Sequence, residues 1–285
     1  MNRLRKILYY LQDSPMLAVG TGMILILVLF GTLGPLVIDT SAAQPLSTVP
    51  RQAPSWDHPF GTDDAGRDLL AVMVVGVPLT LRIGLLAGSV GLGLGIFLGF
   101  SSGYLGGKID TIIRGTVDTL LTVPGLVVLI SIASTIREEI SVNIMALVVA
   151  SLSWMWPTRT IRAQVLTMRE RTYVQMAKLN GMSTPEIIWK ELFPNLLPYL
   201  AANFANAVNW AILSSIGLEA LGLGPQNDPT VGMTIYWAIT FSALIRGMWW
   251  WWAIPIFFIG LVFVGLLMIA AGLDELANPK QRKAV

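Results

Sequence analysis

His58 is the only histidine of the 285-residue chain, and it stands beside Asp57, Asp63 and Asp64. Imidazole and carboxylates together suit a divalent metal. The run His58-Pro59-Phe60-Gly61-Thr62-Asp63 also has the composition of a turn whose Asp and Thr side chains bind their own backbone. That capped turn is the preferred reading, and no metal site is expected. Asp118 and Glu219 lie at the edges of apolar stretches. An acid at membrane depth is a functional-site hypothesis, but one near a helix end escapes much of the burial cost, so a structural or interfacial role is expected for both. Covalent catalysis has little to work with. There is no cysteine, which excludes disulfides and thiolate metal sites, and one loop histidine nearly excludes the usual nucleophile–base pairs. No G-x-x-x-x-G-K-[ST] run is present, so the chain has no such loop to cradle a nucleotide. It reads as neither an enzyme nor a holder of a cofactor.

The elements that would carry these residues are membrane helices. Hydrophobic residues make up 54% of the chain and charged ones 13%, against about a quarter charged in ordinary soluble domains. A net charge of +2, with no Lys/Arg run beyond a pair, gives no basis for nucleic-acid binding. About 20 apolar residues are needed to cross the hydrocarbon core. Windows that suffice run over residues 14–38, 83–107, 119–136, 140–159, 192–218 and 247–273, predicting six spans. The first follows Arg3, Arg5 and Lys6 but is too long for a signal peptide and lacks a small-residue cleavage pattern, so it reads as a retained helix. With the N-terminus inside, fourteen of the 19 basic residues fall on inner segments, the others being Arg51, Arg67, Arg82, Arg137 and Arg246. A seventh window, 229–245, would reverse the basic C-terminus and is read as an outer interfacial or re-entrant helix. Trp237 and Trp249–Trp252 then form an outer aromatic belt.

The resulting division is an inner segment 1–13, a first helix 14–38, an outer loop 39–78, a five-helix core 79–273 and an inner tail 274–285. Gly84, Gly88, Gly91, Gly95, Gly99 and Gly103 recur every three or four residues in the second span, a stripe suited to close helix packing. The inner segment 159–191 holds the most local information. Thr172–Asn180 reads as a short helix ended by Gly181 in the left-handed region. Thr184 is the expected cap of the next helix, with Pro185 at its first position and Glu186 in its first turn. That helix is expected to run until Pro194, the elbow's second half continuing into the next span. Helix, glycine turn and helix make an elbow at residues 172–191, with Ala177 small enough to let it seat in a partner.

The elbow resembles the coupling loop of ABC importer permeases. Tyr173-Val174-Gln175-Met176-Ala177, Gly181, Ile187-Ile188 and Pro194-Asn195 follow that loop's order, with Gln175 for Glu, Met176 for Ala and Glu191 where His is usual. His58-Pro59-Phe60-Gly61-Thr62-Asp63 followed by Gly66-Arg67-Asp68 is similar to the outer-loop motif of the dipeptide/oligopeptide/nickel permeases. Tyr104-x-Gly106-Gly107-x-x-Asp110, Leu221-Gly222-Leu223-Gly224 and a Trp-rich stretch before the last span also recur there. The resemblance covers nearly the whole chain, and the motif order fits the second, shorter permease of the pair.

The resemblance implies an all-α membrane protein with six transmembrane helices of the type I importer fold and a cytoplasmic coupling helix. It implies half of a translocation path for di- or oligopeptides in a prokaryotic plasma or inner membrane, with both termini cytoplasmic. Oligosaccharides, nickel or another small solute are the alternative cargoes, and a secondary transporter is the alternative of another class. The implied partners are a second permease, two ATP-binding subunits that hold the ATP and Mg, and an extracytoplasmic solute-binding protein. Tyr173, Gln175, Ala177, Gly181, Glu191 and Pro194 are the implied coupling residues, and His58, Gly61, Thr62, Asp63, Gly66, Arg67 and Asp68 the outer motif.

Overall fold

A computed structural model describes residues 14–277. The expected inner segment 1–13 lies outside the described residues, as does the tail beyond 277. Among the described residues there are ten α-helices of eight residues or more and no strand. They are α1 Pro15–Leu33, α2 Leu69–Phe100, α3 Gly107–Leu120, α4 Gly125–Thr135, α5 Val142–Ser153, α6 Met155–Arg169, α7 Thr172–Leu179, α8 Phe193–Glu219, α9 Val231–Thr240 and α10 Trp249–Ala277.

Among the described residues three helical stretches are long and apolar enough to cross a membrane: Pro15–Leu36, Leu69–Leu105 and Trp249–Glu275. A fourth is added if α3 and α4, bent by 85° at their junction, count as one span. The other windows form helices that are shorter, broken or diluted by polar residues. Helix α8 has 27 residues, about 40 Å at ~1.5 Å per residue, and is long enough to cross. Asn195, Asn203, Asn206, Asn209 and Glu219 dilute its apolarity. The window 140–159 is divided by Trp154 into α5 and α6, and α6 continues to Arg169. The window 229–245 yields only the ten-residue α9, too short to cross.

Helix α2 is the axis of the fold and passes through three hydrophobic clusters. The first joins α1, α9 and α10 through Leu27, Met73, Val231, Trp251 and Phe258. The second joins α4, α5 and α8 through Ile83, Leu129, Met145 and Leu218. The third joins α6, α7 and the start of α8 through Phe100, Ile161, Val174, Ile187 and Leu196. Because lipid tails are as apolar as leucine, close packing rather than water exclusion must hold these helices together. The glycine stripe provides it. A Cβ on Gly84 or Gly88 would overlap Ile212 or Val208 of α8, and one on Gly91 or Gly95 would overlap Ser153 or Pro157. Gly99 and Gly103 face Ile161 and Val165 in the same way.

The outer loop is shorter than expected. Asp68 caps α2, its Oδ1 accepting the N–H groups of Leu70 at 2.9 Å and Ala71 at 3.1 Å. Residues 69–78 are thus helical, and Pro78 lies inside α2. Its ring fills the notch left by Gly31 of α1, where a Cβ would sit 2.2 Å from Pro78 Cγ. The aromatic belt also differs from expectation. Trp251 is fully buried and Trp250 nearly so, Trp237 is half-buried, and Trp249 alone of these is well exposed. Trp250 Nε1 donates to the Thr62 carbonyl at 3.1 Å, so the indole is held by the outer loop.

Candidate functional site

The elbow is built from one backbone cap, one side-chain capping box and one irregular turn. At the end of α7 the Gly181 N–H donates to the Lys178 carbonyl at 3.0 Å, and the Met182 N–H donates to the Ala177 carbonyl at 3.1 Å. These are the paired bonds of a Schellman motif, which needs a left-handed residue between them. Gly181 supplies it at φ +79°. The next cap is Ser183, one residue before the expected Thr184. The Glu186 carboxylate accepts the Ser183 N–H at 3.0 Å, the Ser183 hydroxyl at 2.9 Å and Lys190 Nζ at 3.1 Å. The Ser183 N–H, with Lys190 next, holds this exposed carboxyl at about 2, well below the usual range.

The chain does not stop at Pro194. Ile187–Leu192 forms a π-helical stretch that runs directly into α8, the Phe193 N–H reaching the Ile188 carbonyl. A proline inside a regular helix lacks an N–H and its ring meets the carbonyl four residues back. The wider π turn accommodates that ring. Asn195 Nδ2 then donates to the Glu191 carbonyl at 2.6 Å. From Thr184 onward the elbow's second arm and α8 are one continuous element.

Val174, Ala177, Ile187 and Leu192 are buried in this chain's own core. Ala177 therefore faces inward, and its small side chain serves the packing of α7 rather than a partner's cleft. The outward face carries Tyr173, Met176, Leu179 and Trp189, of which Leu179 is 81% and Trp189 66% exposed. Met176 was noted from sequence only as a departure from the motif, and Leu179 and Trp189 were not among the coupling residues, though a helical period opposite Val174 and Ala177 would have marked Met176 and Leu179. Gln175 Nε2 donates to the Arg169 carbonyl at the end of α6, 3.2 Å away. A glutamate could not make that bond, which gives the Gln175 departure a local reason. Glu191 is half-buried and Pro194 exposed.

The outer motif forms a knot of turns around Thr62 and Asp63. Thr62 Oγ1 donates to the Val49 carbonyl and accepts the Gln52 N–H, both at 2.8 Å. Asp63 Oδ1 accepts the N–H groups of Ala65 at 2.9 Å and Arg67 at 2.8 Å. Burial pushes the Asp63 carboxyl up and the Arg67 guanidinium down. The guanidinium carbon lies 3.7 Å from the centre of the Trp237 ring, a cation–π contact. His58 Nδ1 is 2.7 Å from Asp68 Oδ2, and Asp64 Oδ1 meets Arg51 at 2.5 Å and Arg246 at 2.7 Å. Gly61 and Gly66 both have φ +73°, and a Cβ on Gly66 would stand 2.4 Å from the Thr48 carbonyl oxygen. All seven residues of the predicted motif meet here as a capped turn.

The remaining acids divide. Glu219 is fully buried rather than interfacial, and its Oε2 accepts Thr230 Oγ1 at 2.5 Å. Asp118 is half-exposed, 3.9 Å from Arg159. Asp110 of the Tyr104–Asp110 motif makes a two-pronged pair with Arg162, at 2.5 and 2.7 Å, and accepts the Ser102 hydroxyl at 2.5 Å.

The family model described as "Binding-protein-dependent transport system inner membrane component" matches residues 91–283, which contain the whole elbow. The chain belongs to this family. It is a membrane permease subunit of a binding-protein-dependent transport system, a family of subunits that are not themselves catalytic and whose place in such a system implies partner subunits. The outer knot precedes the matched residues, but similarity to individual relatives extends over it. The chain is 30% identical over 273 residues to the dipeptide transport system permease protein DppC of Bacillus subtilis (strain 168), covering 96% of this chain and 84% of that one. It is 29% identical over 278 residues to the probable D,D-dipeptide transport system permease protein DdpC of Escherichia coli (strain K12), covering 96% and 91%. It is 27% identical over 285 residues to the oligopeptide transport system permease protein OppC of Bacillus subtilis (strain 168), covering 95% and 88%.

Proposed function

We propose that this permease carries short peptides inward along a path shared with a second permease, driven by two ATP-binding subunits that grip the elbow. ATP and Mg belong to those subunits, and an extracytoplasmic solute-binding protein delivers the cargo. The termini and the elbow lie on the cytoplasmic side, in keeping with the distribution of basic residues. Peptide is favoured as cargo because the three relatives above carry dipeptide, D,D-dipeptide and oligopeptide in their names.

The observation that carries the mechanism is the join between elbow and helix. Exposed Trp189 stands on an arm that runs without a break from Thr184 into α8, and exposed Tyr173, Met176 and Leu179 stand on α7, which the capped turn at residues 180–183 joins to that arm. Force applied to that apolar face moves α8 against α2 and α10, which is rigid-body gating of a path between helices. On the opposite side Leu46, Val49 and the fully exposed Trp56 project from the outer knot and offer the binding protein an apolar contact. Co-expression with the second permease and the ATP-binding pair should give a complex whose ATP hydrolysis rises with loaded binding protein. Uptake by the purified single chain without ATP would overturn this function in favour of a secondary transporter.

A further inference from the structure

Asn206 is the central residue of α8, about 20 Å from either end at ~1.5 Å per residue. Its amide is exposed and has no hydrogen-bond partner among the described residues. Beside it the helical backbone is interrupted twice, at the 85° bend between α3 and α4 and at Trp154 between α5 and α6. A cavity of about 350 Å³ opens there, lined by Leu121, Ser153, Trp156, Asn203, Asn206 and Trp210 among its residues. Neither the Trp156 nor the Trp210 indole N–H has an acceptor among the described residues, and both rings are exposed. None of the lining residues is charged.

Lipid is the wrong occupant for this surface. Hydrocarbon cannot satisfy free donors, and irregular backbone at membrane depth persists only where protein buries it or where it lines a water-filled cavity. The volume falls within the roughly 300–1,000 Å³ of small-ligand sites. Two indole faces with three neutral donors suit an uncharged amide chain better than an ion or a carboxylate.

We infer that this cavity is a peptide-contacting site of the translocation path, which binds main-chain amides through Asn206 and the two indoles and disregards side-chain charge. The inference rests on the transport reading above and adds the recognition chemistry to it. Asn206 and the indole N–H groups donate to passing backbone carbonyls, while the rings cover small apolar side chains. Asn203 is already committed, its Nδ2 donating to the Tyr199 carbonyl at 3.0 Å and its Oδ1 accepting Thr160 Oγ1 at 3.2 Å, so it positions the wall.

The chain has no cysteine, so Asn206→Cys introduces a unique thiol. In the assembled transporter a charged, water-borne thiol reagent should label Cys at 206 and leave Ile26→Cys, on the exposed face of α1, unlabelled. In the second arm, uptake of trialanine and of Ala-Lys-Ala is compared. The original chain should carry both. Asn206→Asp should favour the lysine peptide, and Trp210→Ala should lower uptake of both by about tenfold, the scale of one lost contact. No labelling at 206 would mean that a partner subunit or lipid covers the cavity, overturning the inference while transport stands. Labelling with an unchanged peptide preference in Asn206→Asp would overturn the recognition chemistry. If the original complex imports neither peptide, the peptide reading itself fails and this proposal falls with it, whereas labelling at 206 would then mark an aqueous path for another solute.

Discussion

The outer knot at residues 39–68 and the inner elbow at residues 172–195 both hold apolar side chains outward on a stiff backbone, but they are stiffened by different means. The knot is locked by polar side chains. Thr62, Asp63, Asp64 and Asp68 are each tied to backbone or to a cation, and even Leu46 and Arg51 are held at positive φ. The elbow is locked at its turn by one backbone cap and one exposed capping box, Ser183 with Glu186, and by apolar packing beneath. A frame of crossed polar bonds resists deformation in every direction and suits a fixed platform. A capped arm that continues through a π turn into a long helix transmits displacement along its axis, as a lever must.

The largest effect that could break this comparison should come from the knot. Gly66→Val would place a branched Cβ against the Thr48 carbonyl at a φ of +73°. The combined overlap and backbone strain should cost about 3 kcal/mol or more. The yield of folded chain and its Tm in detergent should both fall sharply. An unchanged Tm would mean that the outer loop moves freely and is no platform.

A smaller and more selective effect is expected at the elbow. Leu179→Glu adds a charge to a side chain that touches little of its own fold. Insertion and Tm should stay unchanged while retention of the ATP-binding subunits weakens by about 2 kcal/mol, the scale of an interface hot spot. Co-purification together with Tm separates the two readouts. Loss of Tm without loss of partners would reverse the roles assigned to the two faces.

The smallest effect sharpens the comparison through pH. The Glu186 carboxyl stands at about 2 in the fold against about 4.3 for a free glutamate. Its contribution is therefore complete above the free value and fades as the pH falls toward the folded one. Pepsin nicking at residues 178–183 should rise more steeply between pH 4 and pH 2, by this linkage, in the original chain than in Glu186→Gln. Equal pH slopes would show that the Ser183 cap holds the turn without help from the charge.

Short-range signals were legible in the chain itself. The approximate places of α1, α8 and α10 follow from the apolar windows, and the Gly181 turn follows from one residue whose left-handed conformation costs little. The capped turn at His58–Asp68 follows from Asp and Thr at turn spacings. Small errors arose where two local signals competed. Ser183 and Thr184 are both good caps, and the reciprocal bond to Glu186 three residues on decides for Ser183. At Pro194 the local rule favoured an end to the helix and the π turn overrode it, while at Pro78 an end to the outer loop was expected and the Asp68 cap starts the helix earlier.

By itself the sequence determined the membrane class, the approximate place of most helices, the two turn-rich motifs and the close-packing glycine stripe. All of these rest on residues within a few positions of one another. Only the tertiary structure decided that Ala177 faces inward, that the Trp cluster is largely buried, and that Asn206, Trp156 and Trp210 share a cavity. Trp250 reaches Thr62 across 188 residues, Arg246 reaches Asp64 across 182, and Arg162 reaches Asp110 across 52. Contacts at such separations leave no period in the chain, because which side chains meet depends on how distant helices pack and not on the order in which they occur.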